Sequence, residues 1–343
     1  MRYSTFLIQR VLLSVLVLLG LSILIFVIAR VIPGDPARIA LGPLASRSQI
    51  EALRAQMHLD EPLYAQYAYY LAGLLRGDFG ESLYTHRAVA IDLRDLFPAT
   101  LELVFYSGLL MVVIGVPLGI VAAVWRDRWV DHTVRLVSLA GVVTPAFVWA
   151  IVLMLVFAYA LGVLPVAGRL SPGLVPPSAA TGTVTLDALL AGNLRAYLDF
   201  LRHLILPSVS LSLAGVAQAA RLTRASMVDV AGRPYIEAAR AFGISESRIA
   251  LKYMLKPSMI PTVTILGLDF AALLGNAFLV ESVFAWPGIA RYGVEVILRK
   301  DLNAIVAVVM IMGLFFVVIN FCIDMLVGYL DPRIRLRQME DAA

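Results

Sequence analysis

The chain has 343 residues, of which 60% are hydrophobic and only 15% are charged, and its mean hydropathy is +0.86. A water-soluble protein of this composition would expose large apolar patches, and a disordered protein would be poorer in hydrophobic residues. Cys322 is the single cysteine, which excludes an internal disulfide and a cysteine-based metal site. The composition therefore predicts an integral membrane protein with an all-α, polytopic fold.

Six stretches are long and apolar enough to cross the bilayer as helices, which takes about 20 residues each. The first stretch follows Arg2 and Arg10 as a signal peptide would, but its apolar core is too long and no small-residue cleavage site follows, so we interpret it as a membrane anchor. In the second stretch Glu102 lies just after Pro98, where we expect it to cap the start of a helix. The predicted spans are residues 11–29, 99–124, 136–161, 204–220, 263–284 and 304–330.

The distribution of Lys and Arg predicts the orientation of these spans. With the N-terminus inside, the cytoplasmic pieces carry 15 basic residues and the short outer loops carry 6. Segment 30–98 is left out of this comparison, because long segments are translocated regardless of their charge. We therefore expect both termini in the cytoplasm, with residues 331–343 as a tail. The pI near 9.2 then reflects membrane topology and not a nucleic-acid partner.

Residues 31–98 are predicted to form an extracytoplasmic segment. The sequence IPGDP at 32–36 contains two prolines and a glycine, which end a helix as it leaves the bilayer. Residues 48–57 and 63–75 show helical spacing, and the tyrosines of the second stretch favour the membrane–water interface. The segment is either a structural cap on the outer leaflet or a docking surface for an external partner.

The cytoplasmic segment 221–262 predicts two short helices joined by a glycine turn. Pro234 suits the first position of a helix, and Gly243 suits the left-handed residue that ends it. Ser245 can cap a second helix that runs towards Pro257. Such an elbow either docks a soluble partner or is an amphipathic connector whose basic residues meet anionic lipid.

Several motifs in chain order resemble those of one transporter family. They are IPGDP at 32–36, the elbow sequence, VESVFAWPG at 280–288, and DPR at 331–333. Together they resemble the dipeptide/oligopeptide/nickel family of ABC importer permeases, and the long segment after the first span resembles its B-type (first) subunit. Phe242 stands where that family often has lysine, and the Leu-Pro that closes the family's elbow signature is out of register. The residues that correspond to the family's ATPase-coupling signature are Tyr235, Glu237, Ala238, Ala239, Arg240 and Gly243.

The resemblance implies that the translocation path and the ATP-binding sites are formed by different subunits. This chain would form half of a translocation path for peptides or a related small solute across the bacterial inner membrane. Its partners would be a second homologous permease, two ABC ATPase subunits and an extracytoplasmic solute-binding protein. ATP and Mg would be bound by the ATPases, and no cofactor by this chain. The expected organisation is an N-terminal membrane helix (1–30), the extracytoplasmic segment (31–98), a five-helix permease core (99–330) with its coupling loop (221–262), and the tail (331–343).

Polar residues at bilayer depth are costly, so each is a candidate for function. Asp269 and Asn276 are seven residues apart and share a helix face, which either lines the path or bonds to a neighbouring helix. Glu281 lies near the outer membrane face, where a gate or a structural clamp is expected. Asn320 and Asp324 are four residues apart, and we expect them to brace the helix bundle or a dimer contact.

The sequence contains no motif of an enzyme that would act by itself. It lacks a G-x-x-x-x-G-K-[ST] phosphate loop, an H-E-x-x-H zinc motif and a G-x-S-x-G nucleophile elbow. Two alternatives to an ABC permease remain open at this point. One is an ion-coupled secondary transporter that uses Asp269, Glu281 and Asp324, and the other is a membrane scaffold without transport activity.

Overall fold

The protein is described by a computed structural model that covers residues 3–31, 36–41, 45–56, 58–174 and 180–330. Regular secondary structure within these ranges is helical, apart from one isolated antiparallel bridge between Glu81 and Ala88. The all-α fold is therefore confirmed. The predicted cytoplasmic tail with its DPR sequence, and all of IPGDP except Pro36, lie outside the described residues.

Thirteen helices occur in these ranges, counting a π-helical turn as part of the helix that contains it. In chain order they are α1 (Tyr3–Val31), α2 (Pro36–Leu41), α3 (Arg47–Gln56), α4 (Leu63–Arg76), α5 (Val89–Val124), α6 (Trp129–Val143), α7 (Ala146–Ala160), α8 (Val184–Leu190), α9 (Leu194–Ala231), α10 (Pro234–Ala241), α11 (Glu246–Val283), α12 (Ile289–Leu298) and α13 (Leu302–Leu330). Helices α3 and α4 confirm the two helices predicted after the first span.

The chain forms two compact units. The first contains Met1–Pro98 and Gly288–Val317, and the second contains Ala99–Pro287 and Val318–Ala343. Helices α1 to α4 and α12 belong to the first unit, whereas α6 to α11 belong to the second. Helices α5 and α13 each contribute residues to both units.

Hydrogen bonds to buried carboxylates organise the first unit. The Tyr292 hydroxyl donates to Asp92 Oδ2 at 3.0 Å, and burial raises the pKa of Tyr292 so that this phenol keeps its proton. The Ser82 hydroxyl donates to Asp301 Oδ2 at 2.6 Å, and the other oxygen of Asp301 accepts the backbone N–H of Ala304 at 3.2 Å. The first turn of α5 is thereby attached to α12, and the loop before α5 is attached to the start of α13.

Five of the six predicted spans fall on single helices, and the sixth falls on the bent pair α6 and α7. In the described part of the chain, five helices are long and apolar enough to cross a membrane, and α6 with α7 makes a sixth candidate by length and composition. The prediction of one continuous span at 136–161 is wrong, because the chain turns by 106° between α6 and α7. Pro145 has no N–H and forces the residue before it into an extended conformation, and Thr144 has φ −87° and ψ 122°. Hydropathy does not report this bend, because both arms are apolar.

Two spans belong to helices much longer than predicted. Helix α9 has 38 residues where 204–220 was expected, and Pro207 lies inside it without ending it. Helix α11 also has 38 residues, so the second elbow helix and the span expected at 263–284 are continuous, with Pro261 inside. Hydropathy reports only the apolar part of such a helix, whereas the backbone continues into polar surroundings.

Glycines bring α9 close to its neighbours in the second unit. A Cβ atom on Gly115 of α5 would lie 2.5 Å from the Ala219 Cβ, and one on Gly119 would lie 2.6 Å from the Ala220 carbonyl oxygen. A Cβ on Gly141 of α6 would lie 2.9 Å from the Ala217 Cβ. Small residues at such crossings allow the backbones to approach, which drives helix association where no water is displaced.

Candidate functional site

The predicted elbow is present directly after the C-terminal end of α9. Helix α10 begins at Pro234 after extended backbone at Arg233, and Gly243 follows it with φ +74°. Helix α11 begins after extended backbone at Ser245, although the Ser245 side chain makes no capping hydrogen bond. Instead, Arg240 Nε donates to Glu246 Oε1 at 2.9 Å and joins the two helices across the turn. The helix, glycine turn and helix are therefore confirmed, and residues 234–254 are called the elbow below.

One face of the elbow is packed against the rest of the second unit. The buried side chains of this contact come from the end of α5, from α9, from α10 and from the π-helical turn Ile249–Met254 in α11. Because it joins four segments, this contact holds the elbow in a defined position on α5 and α9. Its members, called the elbow core, are Ala123, Met227, Ile236, Ala239, Ile249, Ala250 and Met254.

The opposite face of the elbow is exposed. Phe242 has 86% of its surface exposed and Tyr235 has 46%, and Ala238 and Ala241 between them in sequence are exposed as well. Among the residues predicted for ATPase coupling, Glu237, Arg240 and Gly243 are also exposed, whereas Ala239 is 6% exposed and belongs to the elbow core. Two aromatic rings beside small residues make a surface that a complementary groove on another protein could cover.

Asp269 and Asn276 differ in their exposure although they lie on the same helix. Asp269 is partly buried, and its Oδ2 atom is buried without a hydrogen-bond partner among the described residues. Asn276 is exposed, and its side-chain nitrogen donates to the Ala272 carbonyl at 3.2 Å. The helix face that Asp269 and Asn276 were predicted to share therefore lies between the buried side and the exposed side of α11. Whether it lines a path stays a prediction.

Glu281 is part of a buried clamp and does not face open space. It has no exposed surface, and its Oε1 atom accepts the Thr100 hydroxyl at 2.6 Å. Just beyond it Trp286 is also fully buried, and the indole Nε1 donates to the Ala99 carbonyl at 2.9 Å. Of the two roles expected for Glu281, a gate or a structural clamp, this geometry matches the clamp.

Glu102 does not cap a helix start, which corrects the expectation from sequence. Helix α5 begins at Val89, more than three turns earlier, because Pro98 lies inside the helix without ending it. Glu102 is 5% exposed and accepts the Thr185 backbone N–H at 2.7 Å, and it forms an ion pair with Arg169. The guanidinium of Arg169 lies 5.8 Å from the Trp286 ring centre. The one signal in the sequence that could have singled out Arg169 is that it is a lone arginine in an apolar loop.

Asn320 and Asp324 are both partly buried on α13. Between them in sequence, the Ile323 side chain lies where a Cβ on Gly267 would be, at 2.5 Å, so α13 crosses α11 closely at this level. The bracing role predicted for the two polar residues remains a prediction, and their position beside a helix crossing agrees with it.

Comparison with known proteins identifies relatives of the whole chain. A family model described as "binding-protein-dependent transport system inner membrane component" matches residues 115–336, and a model for the N-terminal part of such membrane components matches residues 3–104. The probable D,D-dipeptide transport system permease protein DdpB of Escherichia coli K12 is 42% identical over 93% of this chain and 94% of its own length. The di/tripeptide permease protein DppB of Pseudomonas aeruginosa is 38% identical over 92% of this chain and 94% of its own length.

A third relative is the glutathione transport system permease protein GsiC of Escherichia coli K12, which is 37% identical over 97% of this chain and 99% of its own length. Among solved structures, an inward-facing crystal form of the MetNI methionine ABC transporter matches with a TM-score of 0.50 and 19% identity. That match covers 68% of this chain and 93% of the matched chain. At this identity the match supports the fold alone.

Proposed function

Because the chain belongs to the family of binding-protein-dependent transport system inner membrane components, as a permease subunit of an ATP-driven importer, we propose that it forms half of the path by which peptides enter the cell. The chain is thus a multi-pass inner membrane protein and not an ion-coupled secondary transporter or a scaffold without transport activity.

Energy for transport comes from separate ATPase subunits that dock on the elbow. The observation that carries this proposal is the division of the elbow into two faces, since Ile236 and Ala239 are buried while Phe242 is 86% exposed. The chain itself has no phosphate-binding loop, so ATP and Mg belong to the partners, and this chain binds no cofactor and catalyses no reaction. Two ATPase subunits would be needed if each permease of a pair carries one elbow.

The remaining partners lie in the membrane and outside it. A second, homologous permease would complete the path, because six helices leave little room for a peptide between them. An extracytoplasmic binding protein would deliver the solute, with both termini of this chain in the cytoplasm, as the distribution of basic residues indicates. The exposed apolar surface of the long spans would contact membrane lipid or the second permease.

Small peptides are the proposed solutes. The names of three relatives specify D,D-dipeptides, di- and tripeptides, and glutathione, which are all short peptides with free charged ends. Within the path, Asp269 and Asn276 are the proposed lining residues, because a carboxylate oxygen without a partner and an exposed amide are both costly against lipid. Glu281 is left out of the lining because it is fully buried.

Reconstitution would test the proposal. The permease, the proposed partner subunits and the proposed binding protein would be placed in liposomes and given radiolabelled D-alanyl-D-alanine, L-alanyl-L-alanine or glutathione. We expect uptake of at least one of these peptides that needs ATP and the binding protein and that persists when an ionophore collapses ion gradients. Uptake that is independent of ATP, or an ATPase that does not co-purify, would contradict the proposal.

A further inference from the structure

A buried ion pair connects α6 to α9 about one turn before Met227 of the elbow core. Asp131, in the first turn of α6, has no exposed surface, and both its oxygens accept hydrogen bonds from Arg224 of α9. The Arg224 Nη2 atom lies 2.7 Å from Asp131 Oδ2, and Arg224 Nε bonds to the other oxygen. Two parallel hydrogen bonds between a guanidinium and a carboxylate fix orientation as well as distance.

Further donors complete the surroundings of Asp131. The backbone N–H of Asp127 donates to Oδ2 at 3.0 Å, and Arg135 Nε lies 3.5 Å from Oδ1. Asp127 itself has φ +60°, a left-handed conformation that is uncommon outside glycine, asparagine and aspartate. The tight turn between α5 and α6 is therefore held in place by the same carboxylate that binds α9.

Arg224 differs from the arginine nearest to it on α9. Arg221, one turn earlier, is exposed and bonds to Gln218 of its own helix at 2.6 Å. Arg224 instead has only 18% of its side chain exposed and reaches across to another helix. Removing either partner would be costly, because the buried carboxylate or the guanidinium would lose its paired hydrogen bonds.

The pair lies beside the elbow core. Met227, one turn after Arg224 on α9, is a fully buried member of that core, and Ala123, a few residues before the turn that Asp131 holds, is another. Further along α6, Gly141 packs closely against Ala217 of α9. Helix α6 is thus attached to α9 at its cytoplasmic end by charge and near its other end by close packing.

We propose that the Asp131–Arg224 pair makes the elbow, α9 and α6 move as one body, so that a displacement of the elbow reaches the bend at Thr144 and Pro145. Asp131 and Arg224 are positioning residues in this scheme, because they act through the helices they join and contact no solute. The inference rests on the proposed function in that the displacement is driven by ATPase subunits docked on the elbow.

Distances between spin labels in the assembled complex would test this inference. Labels on Ser247→Cys in the elbow and Leu136→Cys on α6, both exposed positions, would be introduced with Cys322→Ser. With the pair intact, we expect the same label-to-label distance in the nucleotide-free and the vanadate-trapped complex. Arg224→Lys keeps the charge but loses the paired geometry, and Asp131→Asn loses the charge, so in both variants we expect the distance to shift between the two states.

A second measurement distinguishes a role in passing movement from the elbow to α6 from a role in stability alone. The D-alanyl-D-alanine imported per ATP hydrolysed should fall by roughly threefold or more in Arg224→Lys, since changes along a coupling network alter coupling by such amounts. The matched control is Arg126→Gln. Arg126 is exposed and lies in the turn between α5 and α6, so this variant should import as much peptide per ATP as the wild type. Loss of thermal stability with unchanged distances and an unchanged ratio would overturn the proposal.

Two further outcomes are decisive. If the single variants do not assemble, Asp131→Asn can be combined with Arg224→Gln, which removes both charges so that neither is buried alone. If this double variant also fails to assemble, the pair is needed for folding and the inference is overturned. A wild-type complex whose labels change their distance on trapping would overturn it as well. Failure of the ATPase to bind the wild-type chain would instead count against the proposed function.

Discussion

Gly243 shows how much a single backbone conformation contributes to the elbow. Its φ of +74° lies in the left-handed region, and no atom of the described residues lies within 4 Å of the position that a Cβ would occupy. A substitution at this position is therefore opposed by the backbone conformation and not by crowding. This is the situation in which glycine is required at the end of a helix.

We expect Gly243→Val to cost about 1–3 kcal/mol at the turn, because a β-branched residue resists the left-handed conformation. The chain should still insert into the membrane, but the ATPase should no longer co-purify with it. The matched control is Gly232→Val, since Gly232 lies beside the elbow with an ordinary φ of −84°. Normal co-purification of the ATPase with Gly243→Val would count against the docking role of the elbow.

Asp269 provides a second test at the level of a residue. Asp269→Asn removes the charge but keeps the shape, and it places an amide where a carboxylate oxygen has no partner among the described residues. If the residue lines the path, peptide uptake or peptide-stimulated ATP turnover should change while the complex assembles normally. Poor assembly or a lower melting temperature with unchanged turnover would assign Asp269 to helix bracing instead.

At the level of elements, the crossing of α5 and α9 depends on the absence of side chains. The sequence GVPLG places Gly115 and Gly119 four residues apart, on one face of α5, and both meet α9. A π-helical turn at Met111–Gly115 precedes this contact and shifts the face that α5 presents. The close approach is therefore a property of two helices together and of no single residue.

Gly119→Val should destabilise the second unit by about 1–3 kcal/mol, because the added Cβ would lie 2.6 Å from the Ala220 carbonyl oxygen and backbone must move to admit it. The measurement is the melting temperature of the detergent-solubilised chain. Gly20→Val is the control, since Gly20 of α1 has no atom within 4 Å of its Cβ position and should tolerate the change. Equal melting temperatures for the two variants would show that the crossing is looser than described.

At the scale of the whole molecule, sidedness in the membrane is the property most open to direct test. We expect α3 outside the cell and the elbow inside, since α1 crosses the membrane once between Arg10 and the outer segment. Glu51 is a suitable reporter because it is exposed on α3 and lies outside the capping box that Ser46 and Gln49 form.

In a Cys322→Ser background, Glu51→Cys should react with a membrane-impermeant maleimide that is added to intact cells. Ser247→Cys, an exposed position on the elbow, should react only after the cytoplasmic face is opened. The readout is the extent of labelling of the purified chain. The reverse pattern would invert the topology and would remove the elbow from the reach of cytoplasmic ATPase subunits.

The sequence by itself determined the class of the molecule and the features that depend on neighbours in the chain. Apolar stretches predicted the five spans that are single helices, and Pro234 and Gly243 predicted where α10 begins and where the turn follows it. These predictions succeed because helix length in a bilayer and the conformations open to proline and glycine are local properties. Ordered motifs from the outer segment to the elbow were also sufficient to predict the transporter family.

Only the tertiary structure decided which polar groups meet. Asp131 and Arg224 are 93 residues apart, and Glu102 and Arg169 are 67 apart, so no local pattern indicates either pair. The burial of Ala239 beside the exposed Ala238, and of Glu281 beside Thr100, likewise depends on the helix that packs against each. Charge pairing and burial follow from the packing of distant segments, because the free energy of a buried charge depends on what surrounds it and not on its neighbours in the chain.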